Sequence, residues 1–297
     1  MKHWIKAFRL RTLPLALASI GMGTFLAAAS GSFQGDIFAL CALTTIFLQV
    51  LSNLANDYGD SIHGADGEQR VGPSRAIQSG VITPAAMKKA IAIFVVLSLA
   101  SGIGLIYLAF GWSVKVFAIF MGLGILAIIA AITYTSGSRP YGYAGLGDIS
   151  VLIFFGFIAV MGSAYLYEKE LRWEYVLPAI STGLFSVAVL NVNNIRDIES
   201  DKVAGKYSIP VRLGRDKAVI YHWMILSVGY LTTLTYIVLN YSSPFQFLVL
   251  LVIPLLLKNA RAVKVHEEAS ALDPFLKQMA LSTLFFVILF GVGQLLG

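Results

Sequence analysis

The stretch DIFALCALTTIFLQVLSNLANDYGD, residues 36–60, joins an apolar run over 36–55 to a polar tip holding Asn53, Asn56, Asp57 and Asp60. An apolar run near 20 residues is what an α-helix needs to cross a bilayer core of roughly 30 Å. Carboxylates at the end of such a run are costly beside hydrocarbon, so they point to a function and to a compensating partner.

Working outward, comparable apolar runs lie at 12–30, 86–110, 114–134, 146–167, 174–195, 217–239, 244–259 and 276–296. The expected fold class is therefore all-α, a multi-pass membrane protein of about nine transmembrane helices. Composition agrees: the 297 residues are 57% hydrophobic and 13% charged, with a mean hydropathy of +0.77, whereas soluble domains carry about 25% charged residues. The eighth run is short and contains Pro254, so it could cross fully or lie shallow. No polar linker or low-complexity stretch interrupts the chain, which reads as one membrane domain, 1–297.

Charge sets the orientation. With alternating spans and a cytoplasmic N-terminus, nineteen of the 22 lysines and arginines fall inside, and only Lys115, Lys169 and Arg172 fall outside. This positive-inside asymmetry explains the net charge of +6 by topology, leaving no call for a nucleic-acid partner. The C-terminus is then expected on the opposite side. Twelve of the sixteen acids also lie inside, which orientation does not require.

The opening Lys2, Lys6, Arg9 and Arg11 before an apolar run ending in Ala27, Ala28 and Ala29 has the layout of a signal peptide. The run is long enough to span and further spans follow, so it is read as the first span. Cys41 stands alone within a span, supporting neither a disulfide nor a thiolate metal site. His3, His63, His222 and His266 show no ligand spacing and read as loop or interface residues.

A second acidic cluster ends the sixth span. Asn53 and Asn56 match Asn191 and Asn194 in spacing, four spans apart and in the same orientation, as a parallel duplication of a four-helix unit (helices 1–4 and 5–8) would leave. On a helix, Asn53, Asp57 and Asp60 fall at i, i+4 and i+7, and Asn194, Asp197 and Asp201 at i, i+3 and i+7, so each trio shares a face. Stacked carboxylates near helix C-termini repel one another and oppose the helix dipole. Oxygen donors without His or Cys suit Mg²⁺, which commonly bridges a few carboxylates to substrate phosphates. A Mg²⁺–diphosphate site follows, with Asp66 on the turn after the first cluster as a further candidate ligand. Arg70, Arg75, Lys202 and Lys206 are the candidate cations for the remaining diphosphate oxygens. A third inside segment, 134–148, combines glycines, three tyrosines, Arg139 and Asp148.

The stretches NLANDYGD (53–60), GPSRAIQSGVIT (72–83), YTSGSRPYGYAGLGDISVLIFFG (134–156), NVNNIRDIESDKVAGK (191–206) and VRLG (211–214) resemble the UbiA superfamily of intramembrane aromatic prenyltransferases. Within it they are most similar to the 1,4-dihydroxy-2-naphthoate polyprenyltransferases of menaquinone synthesis. The resemblance covers essentially the whole chain and implies nine helices around a central cavity. It assigns Asn56, Asp57 and Asp60 to a first Mg²⁺–diphosphate motif and Asp197 and Asp201 to a second. A further family acid would fall at position 64, where this chain has Gly64, with Asp66 nearby as in the naphthoate branch. A family Tyr-x-x-x-Lys pattern finds Tyr134, taken as acceptor-binding, with Ser138 at the lysine position and Arg139 beside it as a candidate cation. Arg9, before Thr12, Leu13 and Pro14, resembles a family arginine near the diphosphate.

The expected reaction has two Mg²⁺ ions, bridged by the diphosphate of a polyprenyl donor, promoting its departure while an aromatic ring attacks in a dry cavity. By resemblance the acceptor is 1,4-dihydroxy-2-naphthoate, CO₂ is lost, and the enzyme sits in the bacterial inner membrane. The residues alone leave open another aromatic acceptor, such as 4-hydroxybenzoate or a chlorin or haem precursor, and a cation-coupled transporter. Transporter sites lie near the bilayer midplane on broken helices, whereas these acids cluster at the ends of spans.

Overall fold

The computed structural model describes residues 2–64 and 76–297. It is helical throughout, with no strand among the described residues. A short helix, Lys2–Phe8, and a 3-10 turn, Leu10–Thr12, lead into α1, Leu13–Ala29. Then follow α2 Gly35–Ile62, α3 Pro84–Phe110, α4 Val114–Thr133, α5 Gly147–Glu168 and α6 Val176–Arg196. Two short helices, Ile198–Val203 and Ile209–Leu213, precede α7, Arg215–Leu239; the chain ends with α8, Ile253–Val265, and α9, Asp273–Leu295.

Eight of the described helices are long and apolar enough to cross a membrane. The expected eighth span is built in two parts, a 3-10 helix Pro244–Val252 continued by α8. Pro254 lies in the first turn of α8, where its missing N–H costs nothing, and Ser243 and Gln246 form a capping box at the other end. At about 2.0 Å per 3-10 residue and 1.5 Å per α residue, the two parts together reach about 38 Å. Neither part is among the eight helices long and apolar enough to cross.

Side chains show where the bilayer and the protein core lie. Large apolar residues face outward along α3 and α4, including Val96, Ile119, Leu126 and Ile129, as a lipid-facing belt requires. Inside, Phe185 of α6 meets Phe286 of α9 edge to face at 4.8 Å, a favoured aromatic geometry. Close helix approach uses small residues: a Cβ on Gly156 of α5 would fall 2.7 Å from the Ala179 carbonyl of α6. The stretch of α5 around this contact, Leu152–Met161, takes the wider π form.

Length also places the acids. The 28 residues of α2 extend for roughly 42 Å, about two turns beyond a 30 Å core. Those turns carry Asn56, Asp57 and Asp60.

Candidate active site

Three chain segments meet at one end of the bundle: the last turns of α2, the 134–146 connection after α4, and the 197–214 segment after α6. Gly59 allows the first contact, because a Cβ there would lie 2.5 Å from the Thr135 carbonyl. Thr135 donates its hydroxyl to the Ala55 carbonyl at 3.2 Å, and the His63 ring lies between the Gly59 and Gly137 carbonyls at 2.9 and 3.0 Å. Tyr143 then joins both acidic motifs. Its hydroxyl donates to Asp60 Oδ1 at 3.1 Å, and its carbonyl accepts from the Tyr207 N–H at 2.9 Å. Gly145, at φ 77°, takes a backbone shape that side chains disfavour, and a Cβ there would fall 2.7 Å from the Tyr207 carbonyl.

In the first cluster Asn53, Asp57 and Asp60 are buried on one unbroken helix. Arg9, on the N-terminal segment, forms an ion pair with Asp57. Its backbone adopts φ 48°, uncommon for a non-glycine residue, and Thr12 steadies that turn by donating its hydroxyl to the Arg9 carbonyl at 2.9 Å. The Asn53 amide donates to the Phe8 carbonyl and to Thr12 Oγ1, both at 2.9 Å. Asn53 therefore anchors the segment that delivers Arg9. Asn56 is half-buried and accepts from Thr135 Oγ1 at 3.5 Å.

The second cluster differs from a single helical face. α6 ends at Arg196, Asp197 takes φ −97° and ψ 10°, and a new short helix carries Asp201. The interruption coincides with a fork: Arg196 donates through Nε and Nη2 to the two oxygens of Asp197, both at 2.7 Å. The same buried guanidinium reaches Asp273 at the start of α9 at 2.5 Å. Lys206 is buried and donates to Asp201 Oδ1 at 3.1 Å.

Electrostatics shows that the clusters face each other. Burial pushes the Asp201 carboxyl up to about 6, the Lys206 ammonium pulling against it and the Asp197 and Asp60 carboxylates adding to it. For Lys206, burial disfavours the ammonium, but Asp201, Asp60 and Asp197 outweigh it and hold the group above its ordinary value. Burial likewise raises the Tyr134 hydroxyl, with Lys206 opposing and Asp60, Asp148 and Asp201 reinforcing. Charges from both motifs thus act on the same three groups.

Lys206, Arg9 and Tyr134 therefore stand with the acids. Tyr134 packs against Tyr141 at 5.3 Å, and a Cβ on Gly142 or Gly147 would crowd its ring. Arg139 and Lys202 are exposed. Asp66, Arg70 and Arg75 lie outside the described residues. Arg196, Asp273 and Tyr143 were not singled out from the sequence. A basic residue inside the polar end of a span was a usable signal for Arg196; nothing in the spacing distinguished Tyr143 from its neighbouring tyrosines.

Among the described residues no three His, Cys, Asp or Glu side chains form a ready-made metal cage. One buried oxygen fits a hard cation, since Asn194 Oδ1 has no hydrogen-bond partner, whereas Asp201 Oδ2 lies 3.1 Å from Lys206 Nζ. An apolar groove of about 340 Å³ between α8 and α9, lined by Leu255, Leu281 and Phe285 among others, includes no residue of either cluster.

Known proteins share both fold and sequence. The chain is 48% identical to a 1,4-dihydroxy-2-naphthoate octaprenyltransferase of Haemophilus influenzae, covering 100% of this chain and 97% of the relative. It is 46% identical to the Escherichia coli protein of the same name, covering 98% and 94%. A solved UbiA homolog from Aeropyrum pernix superposes with a TM-score of 0.70 at 16% identity, covering 96% and 97%. One from Archaeoglobus fulgidus, bound to GPP and Mg²⁺, gives 0.70 at 15%, covering 99% and 100%. Residues 15–290 match the UbiA prenyltransferase family, so this multi-pass helical chain, with its paired acidic motifs at one end of the bundle, belongs to that family.

Proposed function

We propose that the protein transfers a polyprenyl group from polyprenyl diphosphate to 1,4-dihydroxy-2-naphthoate, releasing diphosphate and CO₂ and forming the hydroquinone form of demethylmenaquinone. The observation that carries this reading is the 48% identity, end to end, with a relative named for that reaction. A phytyltransferase acting on a related naphthoquinone acid is 28% identical over 84% of the chain, so the fold serves donors of more than one kind.

In this reading Asn56, Asp57 and Asp60 hold one Mg²⁺ and Asn194, Asp197 and Asp201 the other. When bound, Mg²⁺ supplies Lewis-acid neutralisation of the diphosphate oxygens. The protein's own groups do the rest. Arg9 and Lys206 offer cationic donors to the diphosphate, and Asn53 keeps Arg9 in place through the Phe8 carbonyl. Tyr134, wedged against Gly142 and Gly147, presents an aromatic edge to the acceptor. The apolar bundle excludes water from the allylic carbon as its bond to oxygen breaks and the ring carbon bearing the carboxylate attacks. Exposed Arg139 and Lys202, with Arg70, Arg75 and Asp66, are assigned to the rim of the diphosphate site. The charge split supports a cytoplasmic position for this end of the bundle and for the N-terminus, in the inner membrane. The chain works as one domain, and the matched motifs on α2 and α6 are remnants of a parallel repeat.

Purified protein in lipid nanodiscs, given Mg²⁺ and a polyprenyl diphosphate, should prenylate 1,4-dihydroxy-2-naphthoate and leave 4-hydroxybenzoate unchanged. Prenylation of the hydroxybenzoate alone would overturn the acceptor assignment.

A further inference from the structure

Inside the bundle, away from the charged groups, a chain of polar side chains crosses four helices. Asn191 of α6 donates through Nδ2 to the Ala218 carbonyl and to His222 Nδ1 on α7, both at 3.3 Å. His222 Nε2 lies 3.0 Å from Asn259 Oδ1 on α8. Asn259 Nδ2 donates to the Phe275 carbonyl at 2.9 Å and to Gln278 Oε1 on α9 at 2.6 Å. Gln278 Nε2 donates to the Leu255 carbonyl at 3.0 Å and to Ser282 Oγ at 2.8 Å. Asn191, His222 and Asn259 are each 0% exposed.

The direction of every bond is fixed. A backbone carbonyl only accepts, so Ala218, Phe275 and Leu255 each determine which end of an amide is its NH₂. Asn191 therefore donates to His222 Nδ1, which must carry a lone pair, and Asn259 presents its carbonyl oxygen to Nε2, which must carry the proton. His222 is neutral, in the Nε2–H tautomer, and differs from the loop or interface residue its sequence position suggested. In a low-dielectric interior such mutual hydrogen bonds offset the cost of burying polar side chains.

Asn191 is one turn from Asn194 on α6 and begins the segment that ends in Asp197. Held by its NH₂, it leaves Oδ1 without a partner, as does Asn194. We infer that His222 is a positioning residue: through Asn191 it sets the rotation of α6, and hence the presentation of Asn194, Asp197 and Asp201 to the diphosphate, while Asn259 and Gln278 transmit the setting of α8 and α9. This rests on the proposed function of the second motif.

The test uses the full-length protein in nanodiscs. His222→Leu removes both ring contacts. It should keep the helical content of the parent while raising KM for prenyl diphosphate and weakening calorimetric binding of inorganic pyrophosphate with Mg²⁺ by roughly 10–100-fold, with a smaller change in kcat. His222→Gln, whose amide can accept from Asn191 and donate to Asn259, should recover most of that loss. Should the leucine variant fail to fold, Gln278→Leu, two links farther along, carries the same measurements with a smaller effect. Parent-like KM and pyrophosphate affinity in a folded leucine or Gln278 variant would overturn the inference, as would a glutamine variant no better than leucine. Retained prenyl transfer in Asp197→Asn would instead remove the function on which it rests, so the two failures are distinguishable.

Discussion

The ends of α2 and α6 carry acidic motifs of similar spacing, yet the contacts seen among the described residues reach them from different distances along the chain. The first draws on distant chain: Arg9 lies 48 residues before Asp57, and Tyr143 lies 83 residues after Asp60. The second uses neighbours, with Arg196 beside Asp197 and Lys206 five residues from Asp201. Both acidic pairs are buried alike, Asp57 and Asp60 at 2% and 4% exposure and Asp197 and Asp201 at 6% and 5%, so each needs charge compensation at hand. What differs is the helix behind them: in its most apolar window α2 is 33% buried, whereas the span ending in Arg196 is 67% buried.

The largest effects should come from the acids that both motifs require. Asp57→Asn and Asp197→Asn are each expected to reduce prenyl transfer by at least on the order of 10²-fold, measured as single-turnover rates with saturating acceptor.

Next, stability should separate the motifs. Arg196→Leu removes the fork on buried Asp197 and the contact to Asp273, a loss of about 3–5 kcal/mol. Arg9 is partly exposed at 21%, and Arg9→Leu should cost less than half as much. Thermal or chemical unfolding in one detergent compares them, and equal losses would mean that the two ion pairs contribute alike.

A pH dependence should follow from Asp201. Its carboxyl ionises near 4 when unfolded and at about 6 in the fold. Between those values the folded protein holds a proton that the unfolded chain has lost. The stability Asp201 contributes is therefore present below about 4 and is lost as pH rises through about 6. Metal binding runs the other way, because a cation must displace that proton below 6 but not above it. The Mg²⁺ concentration for half-maximal activity should fall by up to about tenfold per unit as pH rises toward 6 and level off above 7. A flat profile from pH 5 to 8 would remove Asp201 from the ligand set.

The smallest effect is expected at the bridge between motifs. Tyr143→Phe removes one hydroxyl hydrogen bond to Asp60, worth about 1 kcal/mol, and should slow prenyl transfer several-fold with the fold intact.

Apolar length and charge asymmetry made the membrane bundle readable, since a span's length is dictated by the bilayer rather than by any partner. The acid motifs were readable too, because carboxylates beside hydrocarbon are anomalous. The compensating groups were less so. Arg9 was reached only through the family resemblance, because the fold that brings it to Asp57 is not local. Lys202 and Lys206 were equivalent in sequence, and a turn at Gly205, φ 70°, buries one and exposes the other. His222 looked unremarkable because its partners, Asn191 and Asn259, come from two other helices, although Asn191, Asn259 and Gln278 each stood as a polar residue in or beside an apolar run.

If the two unlike motifs act as one site, their losses overlap, and a double-mutant cycle on prenyl transfer measures that overlap. Groups acting as a unit are non-additive, so Asp57→Asn/Asp197→Asn should be no more than about threefold slower than the slower single variant. Losses that multiply, or parent-like transfer in either single variant, would contradict a shared site.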